Sequence, residues 1–322
     1  HEVIDSAAFI KGDAVKEFED NLASYLNVKH VIGCANGTDA LQLALMALDL
    51  TPGDEVITPD FTFIATVEVV ALLGLKPILV DVNLDDFTIN IDSLEKAITK
   101  KTKAIIPVHL FGQCANMEDI MSVAQSKDIY VIEDAAQALG SNYFFSDGTS
   151  QKAGTIGHIG CTSFFPSKNL GCFGDGGAIF TNDDALANEI RSIANHGMKV
   201  RYHHDRIGVN SRLDTIQAAV LGVKLNYLDQ YNQARIKAAD TYDALFTDSS
   251  KLTTPFRVSW SNHIFHQYTL KLNDGNRNKL IEFLDKVDFE KKEFEVFSFS
   301  LMKSYLSSDG RNYSDLMRVN LV

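Results

Sequence analysis

Four short runs of nearly unbroken apolar residues constrain the fold most: "DEVITP" (54–59), "KPILVDV" (76–82), "KAIIPVHLFG" (103–112) and "IYVIED" (129–134). A strand with one wet face alternates apolar and polar residues. These runs do not alternate, so both of their faces must be covered. Between them lie stretches of helical length, "FTFIATVEVVALLG", "IDSLEKAITKKT" and "NMEDIMSVAQSKD". Strand and helix in strict alternation predict an α/β fold: a large domain with a mostly parallel sheet covered by helices. Ligands of such sheets gather at the carboxyl ends of the strands. Asp134 closes its strand and falls at that edge, while Glu133 faces the other side.

The flanking segments complete the outline. "AVKEFEDNLASYL" places Val15, Phe18, Leu22, Tyr25 and Leu26 on one helical face. "HVIGCANGTDALQLALMAL" reads as a strand, a turn and a helix carrying Leu41, Leu45 and Leu48, with Thr38 or Asp39 as its cap. The free N–H groups at Gly37 and Thr38 suit a phosphate, although an ordinary N-cap reads the same way. "TSFFPSKNLGCFGDGGAIFTND" (162–183) sets Lys168 in a glycine-rich loop between two apolar strands. Desolvation there favours a neutral amine able to attack a carbonyl; the plainer alternative is a solvated loop lysine. "RYHHDRIGVNSRLD" is polar and irregular. "TIQAAVLGVKLNYLDQYNQARIKAADTYDALF" then reads as one helix of many turns. The domain boundary is expected along it, with a large domain over 1–225 and the linking helix plus a small C-terminal α/β lobe over 226–322. "HQYTLKL" and "NRNKLIEFLDKV" supply that lobe's strand and helix.

Charge and cysteine usage remove several function classes. The 322 residues carry a net charge of −12 with no offsetting basic cluster, which argues against a nucleic-acid surface. No apolar run is long enough for a membrane span, and no signal-peptide pattern opens the chain, so a cytoplasmic protein is expected. Cys34, Cys114, Cys161 and Cys172 are scattered, which predicts reduced buried thiols and no metal site. The chain opens on His1, close to a helix, so the natural N-terminus is expected to be missing or processed.

Four motifs in order, "ANGTDAL", "VIEDAAQALG", "TSFFPSKNLGCFGDGGAIFTND" and "GVNSRLDTIQAAVL", carry a resemblance over residues 3–287. Together they resemble the nucleotide-sugar aminotransferases of the DegT/StrS type, which depend on pyridoxal phosphate and have the aspartate-aminotransferase-like fold (type I). The resemblance implies a role for each matching residue. Lys168 corresponds to the lysine that links to the cofactor aldehyde, and Asp134 to the aspartate that pairs with the pyridine nitrogen. Gln137 falls beside the ring and its 3-hydroxyl. Ser163, Gly37 and Thr38 fall on the phosphate, and Phe63 where an aromatic ring stacks on the cofactor. Asn210 and Arg212 lie in a loop that crosses into the neighbouring subunit's site, so a homodimer with shared sites is implied. Asn210 then contributes to cofactor binding and Arg212 to substrate binding. The plainer reading of Arg212 is a surface pair with Asp214 or Asp205.

Within the family, "HLFGQCANM", "NHG" and "RYHHDRIGVNSRLD" look most like the enzymes that aminate C3 of a UDP-linked 2-acetamido-3-keto-hexuronic acid. Glutamate is the implied donor and surface polysaccharide, such as lipopolysaccharide O-antigen, the implied use. Amination of another UDP- or dTDP-linked 3- or 4-keto sugar is the alternative, as is a non-catalytic ligand-sensing homologue. Sugar dehydratases of this type replace the lysine, typically with histidine, and Lys168 argues against that reading. No GxGxxG follows the first strand, which sets aside a dinucleotide-binding protein. His109 and His196 read as structural histidines. After about residue 287, "DFEKKEFEVFSFSLMKSYLSSDGRNYSDLMRVNLV" departs from the family's "YYP…LH" segment.

Overall fold

The computed structural model describes residues 2–273, 275 and 277–286, and the backbone of Val296–Ser307 and Gly310–Leu321. The chain divides into two compact units, one of His1–Ala239 with Pro255–Tyr268, the other of Asp240–Thr254 with Thr269–Val322.

In the first unit, α1 (Glu2–Ser6) and α2 (Asp13–Leu26) precede β1 (His30–Cys34). Alternation follows: α3 (Gly37–Ala47), β2 (Glu55–Pro59), α4 (Ala65–Leu72), β3 (Lys76–Val80), α5 (Ile91–Ala97), β4 (Thr102–Ile105), α6 (Met117–Lys127) and β5 (Tyr130–Asp134). A hairpin of β6 (Asn142–Phe144) and β7 (Ser150–Lys152) leads to β8 (Ile159–Ser163), β9 (Gly177–Thr181) and α7 (Asp184–Ile193). A small ribbon, β10 (Met198–Val200) and β11 (His203–His204), precedes α8 (Thr215–Leu225) and α9 (Leu228–Phe246).

Seven strands form one sheet in the order β1-β9-β8-β5-β4-β2-β3. β9 runs against its neighbours, and the other six run one way. Successive residues of each strand point to opposite faces, and the core shows it. Val56, Ala104, Ile132 and Ile179 pack with α3, α4 and α7, whereas Ile57, Ile105 and Val131 pack with α5 and α6. At the β1 edge, Val31, Ala178 and Phe180 meet α2, α8 and the start of α9. Both faces are thus covered, the physical reason the strands could be apolar throughout.

The expected single long helix is two. α8 stops at Leu225 and α9 starts at Leu228. Asn226 turns its side-chain amide back to the carbonyls of Gly222 and Val223 (3.1 and 3.5 Å), a local bond that competes with helix continuation. The division between the units falls inside α9, at Ala239/Asp240, rather than at residue 226, and 255–268 belongs to the first unit. There Phe144 N–H donates to Trp260 O (2.7 Å) and Ile264 N–H to Gly112 O (2.8 Å).

The second unit holds β12 (Leu252–Thr253) paired antiparallel with β13 (Lys271–Leu272), then α10 (Arg277–Leu284). β14 (Val296–Ser307) and β15 (Gly310–Leu321) form an antiparallel pair. "HQYTLKL" contributes only two residues to a strand. Residues 287–295, where a departure from the family's pattern was expected to begin, lie outside the described residues.

Candidate active site

The carboxyl ends of β5 and β8 and the first turn of α3 converge. Ser163 ends β8 and pairs across the sheet with Gly177, which opens β9. The α3 start lies against this pair. A Cβ on Gly177 would meet Asn36 O at 2.4 Å, and one on Gly37 would meet Ser163 Cβ at 2.6 Å. Only glycine permits that approach. Asn36 caps α3, its Oδ1 accepting from Asp39 N–H at 2.8 Å, where Thr38 or Asp39 was expected as the cap. Capping one residue earlier leaves Gly37 and Thr38 as the first helical residues, their side facing Ser163.

Asp134 is buried at the end of β5. Its Oδ2 accepts from Thr66 Oγ1 at 2.9 Å and its Oδ1 from Ala136 N–H at 3.1 Å. Thr66 is fully buried in α4 and was missed from the sequence. The available signal was a polar residue sharing one face, at i, i+3 and i+4, with Val69 and Val70. Gln137 Oε1 accepts from Phe111 N–H at 2.7 Å, which orients its amide. Phe111 takes a left-handed backbone, with φ 58°.

Lys168 lies half-buried in a turn closed by its own N–H bonding to Phe165 O at 2.8 Å. Burial lowers the pKa of its amine, and the Asp134 carboxylate acts in the opposite direction. A second group the sequence did not flag is His266. Its Nδ1 is buried without a hydrogen-bond partner among the described residues, and its pKa is pushed down to about 3 by burial and by the charges of Lys168 and Arg235. His266 reaches this region because 255–268 folds back onto the 111–112 turn; Gln267 N–H donates to Phe111 O at 3.3 Å. No local sequence signal marks such a return. Phe63 precedes α4 and is 67% exposed.

Two remaining residues stand apart. Asn210 is exposed and bridges to Asn195, and Arg212 Nη2 donates to Asn195 Oδ1 at 3.2 Å. Arg212 pairs with neither Asp205 nor Asp214. It lines a cavity whose walls share no residue with the Lys168 group.

His109 and Glu133 form a buried pair on the opposite face. Ala115 N–H donates to His109 Nδ1 (3.1 Å), so the proton resides on Nε2, which donates to Glu133 Oε2 at 2.7 Å. Glu133 also accepts the N–H groups of Gly154, Ile156 and Gly157 at 2.9, 2.6 and 2.5 Å. This network braces the loop between β7 and β8.

A buried carboxylate, a desolvated lysine and a glycine-cleared phosphate cradle at strand ends suit a phosphorylated aldehyde cofactor. Comparison with known proteins agrees. The chain is 50% identical over 272 residues to the UDP-2-acetamido-2-deoxy-3-oxo-D-glucuronate aminotransferase of Pseudomonas aeruginosa, covering 84% of this chain and 74% of that protein. It is 47% identical over 271 residues to the UDP-N-acetyl-3-dehydro-α-D-glucosamine 3-aminotransferase of Acidithiobacillus ferrooxidans (84% and 72% covered). Among solved structures, NtdA of Bacillus subtilis with bound cofactor PMP superposes with a TM-score of 0.81 at 35% identity, covering 88% of this chain and 64% of that one. The model of the DegT/DnrJ/EryC1/StrS aminotransferase family matches residues 1–318, and the chain belongs to that family.

Proposed function

We propose that this protein transfers the amino group of glutamate to C3 of a UDP-linked 2-acetamido-3-keto-hexuronic acid, with pyridoxal 5′-phosphate as its cofactor. One observation carries the chemistry: the half-buried Lys168 amine lies within electrostatic reach of the buried Asp134 carboxylate, which Thr66 holds in place. The substrate class rests on the likeness to the two UDP-3-oxo-sugar aminotransferases.

The residues fit the cofactor. Gly37 leaves the α3 N-terminus open against Ser163, so the N–H groups of Gly37 and Thr38 and the Ser163 hydroxyl can donate to a phosphate. Asp134 would hold a proton on the pyridine nitrogen. When bound, the cofactor supplies an electron sink for the carbanion left at the donor's α-carbon. A carboxylate in a charge-assisted hydrogen bond is worth roughly 1.5–3 kcal/mol, or one to two pKa units on that nitrogen. Lys168 Nζ is the amine that would hold the cofactor's aldehyde, and, when free, it would take the donor's α-proton and return a proton to the sugar carbon. Burial shifts that amine toward its neutral form, and the Asp134 carboxylate acts against the shift. Gln137, its amide held by Phe111 N–H, would lie at the ring's 3-hydroxyl edge, and Phe63 would offer an exposed face for stacking.

The loop of Asn210 and Arg212 completes the site of a second copy in a homodimer. Support comes from the apolar surface around that loop, where Tyr202 and Ile207 are 76% and 88% exposed. A carboxylated sugar needs a cation, which Arg212 or Arg201 supplies. Among the described residues no helix is long and apolar enough to cross a membrane, in keeping with cytoplasmic supply of surface polysaccharide such as lipopolysaccharide O-antigen.

The test takes the protein with bound cofactor, adds glutamate, and follows the absorbance of the lysine-linked form. UDP-linked 3-keto-hexuronate and a panel of dTDP- and UDP-linked keto sugars are then offered, with products weighed by mass spectrometry. Loss of the band on glutamate addition and a product heavier by the exchange of oxygen for amine are the expected results. A band indifferent to glutamate overturns the aminotransferase reading; amination of a 4-keto sugar alone overturns the C3 assignment. Lys168→Ala removes the borohydride-reducible link. Mixing the Lys168→Ala and Arg212→Ala proteins restores activity if sites are shared. No recovery after subunit exchange, verified by mass, rejects the shared site.

A further inference from the structure

Thr62 and Thr66 lie four residues apart at the entry to α4, and their hydroxyl oxygens stand 3.1 Å from each other. Thr66 Oγ1 is in turn 2.9 Å from Asp134 Oδ2, while Asp134 Oδ1 accepts Ala136 N–H at 3.1 Å. Proton count gives these contacts a direction. An ionised carboxylate only accepts, and a threonine hydroxyl has one hydrogen to give. Thr66 gives its hydrogen to Asp134. The hydrogen between the two threonines therefore comes from Thr62, and donation runs from Thr62 to Thr66 to Asp134.

A threonine beside a helix start ordinarily caps it, its oxygen accepting a backbone N–H. Thr62 is used otherwise. The α4 N-cap is Ile64, which makes no side-chain bond, and the Thr62 hydroxyl turns to Thr66. Thr66 is fully buried, so its oxygen is shielded from competing water. The residues around Thr62 enclose the same site. Phe63 follows it. Phe61 precedes it and meets Phe111 edge-on, with ring centroids 6.2 Å apart. Phe111 N–H holds Gln137 Oε1 at 2.7 Å. Asp134 and Gln137 are thus joined once along their own segment and again through residues 61–66.

We propose that Thr62 is a positioning residue: by donating to Thr66 it commits the single Thr66 hydrogen to Asp134, and so holds that carboxylate as the anion that the cofactor's ring nitrogen needs. The inference rests on the aminotransferase reading and adds Thr62 to it. Hydrogen bonding to the charged form of an acid favours that form, so a proton shared with a bound ring stays on the ring nitrogen.

The test loads the parent, Thr62→Val, Thr62→Ser, Thr66→Val and the double valine variant with cofactor carrying a nitrogen-15 label in its ring. The NMR shift of that nitrogen reads its protonation without turnover. In Thr62→Val the shift is expected to move toward the unprotonated position, and single-turnover removal of the glutamate α-proton to slow about threefold, within what one neutral hydrogen bond contributes. Thr62→Ser keeps the donor and is expected to recover most of both losses. The double variant is expected to match Thr66→Val alone, because Thr62 acts only through Thr66. Thr62→Ala lacks the donor and adds no bulk, so it must repeat the Thr62→Val result. A parent-like shift and rate in both Thr62→Val and Thr62→Ala overturn the proposal, as does a double variant whose loss is the product of the two single losses. If glutamate leaves the parent's lysine-linked band unchanged, the aminotransferase reading falls, and the ring-nitrogen shift still decides the role of Thr62.

Discussion

Thr66 and Asp134, 68 residues apart in sequence, share a 2.9 Å hydrogen bond between α4 and the end of β5. Thr66 donates, so the carboxylate is fixed in orientation before any cofactor arrives. Thr66→Val keeps the shape and removes the donor. The variant is expected to retain cofactor and to take the α-proton from glutamate about tenfold more slowly, equivalent to about 1.4 kcal/mol. Stopped-flow absorbance with glutamate reads this directly. Asp134→Asn, which loses the charge itself, should slow the same step roughly a thousandfold, about 4 kcal/mol. An unchanged single-turnover rate in Asp134→Asn would sink the assignment.

Gly37→Ala separates the phosphate cradle from the fold. The added methyl would stand 2.6 Å from Ser163 Cβ, so one side of the cradle must move. Gly37 is helical, and alanine favours a helix by up to about 1 kcal/mol, which limits the loss of stability. Cofactor affinity, titrated by absorbance, is expected to drop at least tenfold while the circular dichroism spectrum is kept.

Glu133 tests the opposite face of the same strand. Glu133→Ala strands His109 Nε2–H and three backbone N–H groups in the interior. Breaking a buried network of this kind costs roughly 3–5 kcal/mol. Urea unfolding should show that loss; a midpoint within error of the parent would mean that water replaces the carboxylate.

The buried histidines set an acid limit. His263 and His266 are each pushed down to about 3, chiefly by burial, with Arg257 charge acting on the first and Lys168 and Arg235 charge on the second. Between pH 6.5 and 3 the unfolded chain binds protons that the folded one refuses. Stability is therefore intact above about pH 6.5 and declines as pH falls toward 3. Each pKa unit corresponds to about 1.4 kcal/mol. His266→Gln is expected to flatten this decline in unfolding free energy measured from pH 7 to 4. Equal slopes for variant and parent would assign the acid loss elsewhere.

The four cysteines give a simple fold readout. All are free and buried, and burial pushes their thiols up, Cys114 to about 12. Thiolate is the reactive form. A thiol reagent at neutral pH should label none in the native protein and four in urea.

Local pattern and spacing reached far in this chain. The apolar runs 54–59, 76–82, 103–112 and 129–134 announced a sheet covered on both faces, because no half-wet strand can be apolar throughout. The Lys168 loop and the strand-end position of Asp134 were candidates by themselves, because a solvated loop lysine reads the same way; the four motifs in order pointed to the chemistry through their resemblance to a family. Where each helix stops was less legible. The break at Asn226 depends on one side-chain amide choosing Gly222 O over water, and the α3 cap on Asn36 rather than Thr38; both are choices between neighbours of similar propensity.

Only the tertiary structure brought Thr66 to Asp134 and His266 toward Lys168. Each pair is separated by tens of residues in the chain. A sequence determines periodicity, and hence which face of an element is buried. Which polar residue on that face meets which partner depends on how the elements pack in three dimensions, and no local pattern encodes that.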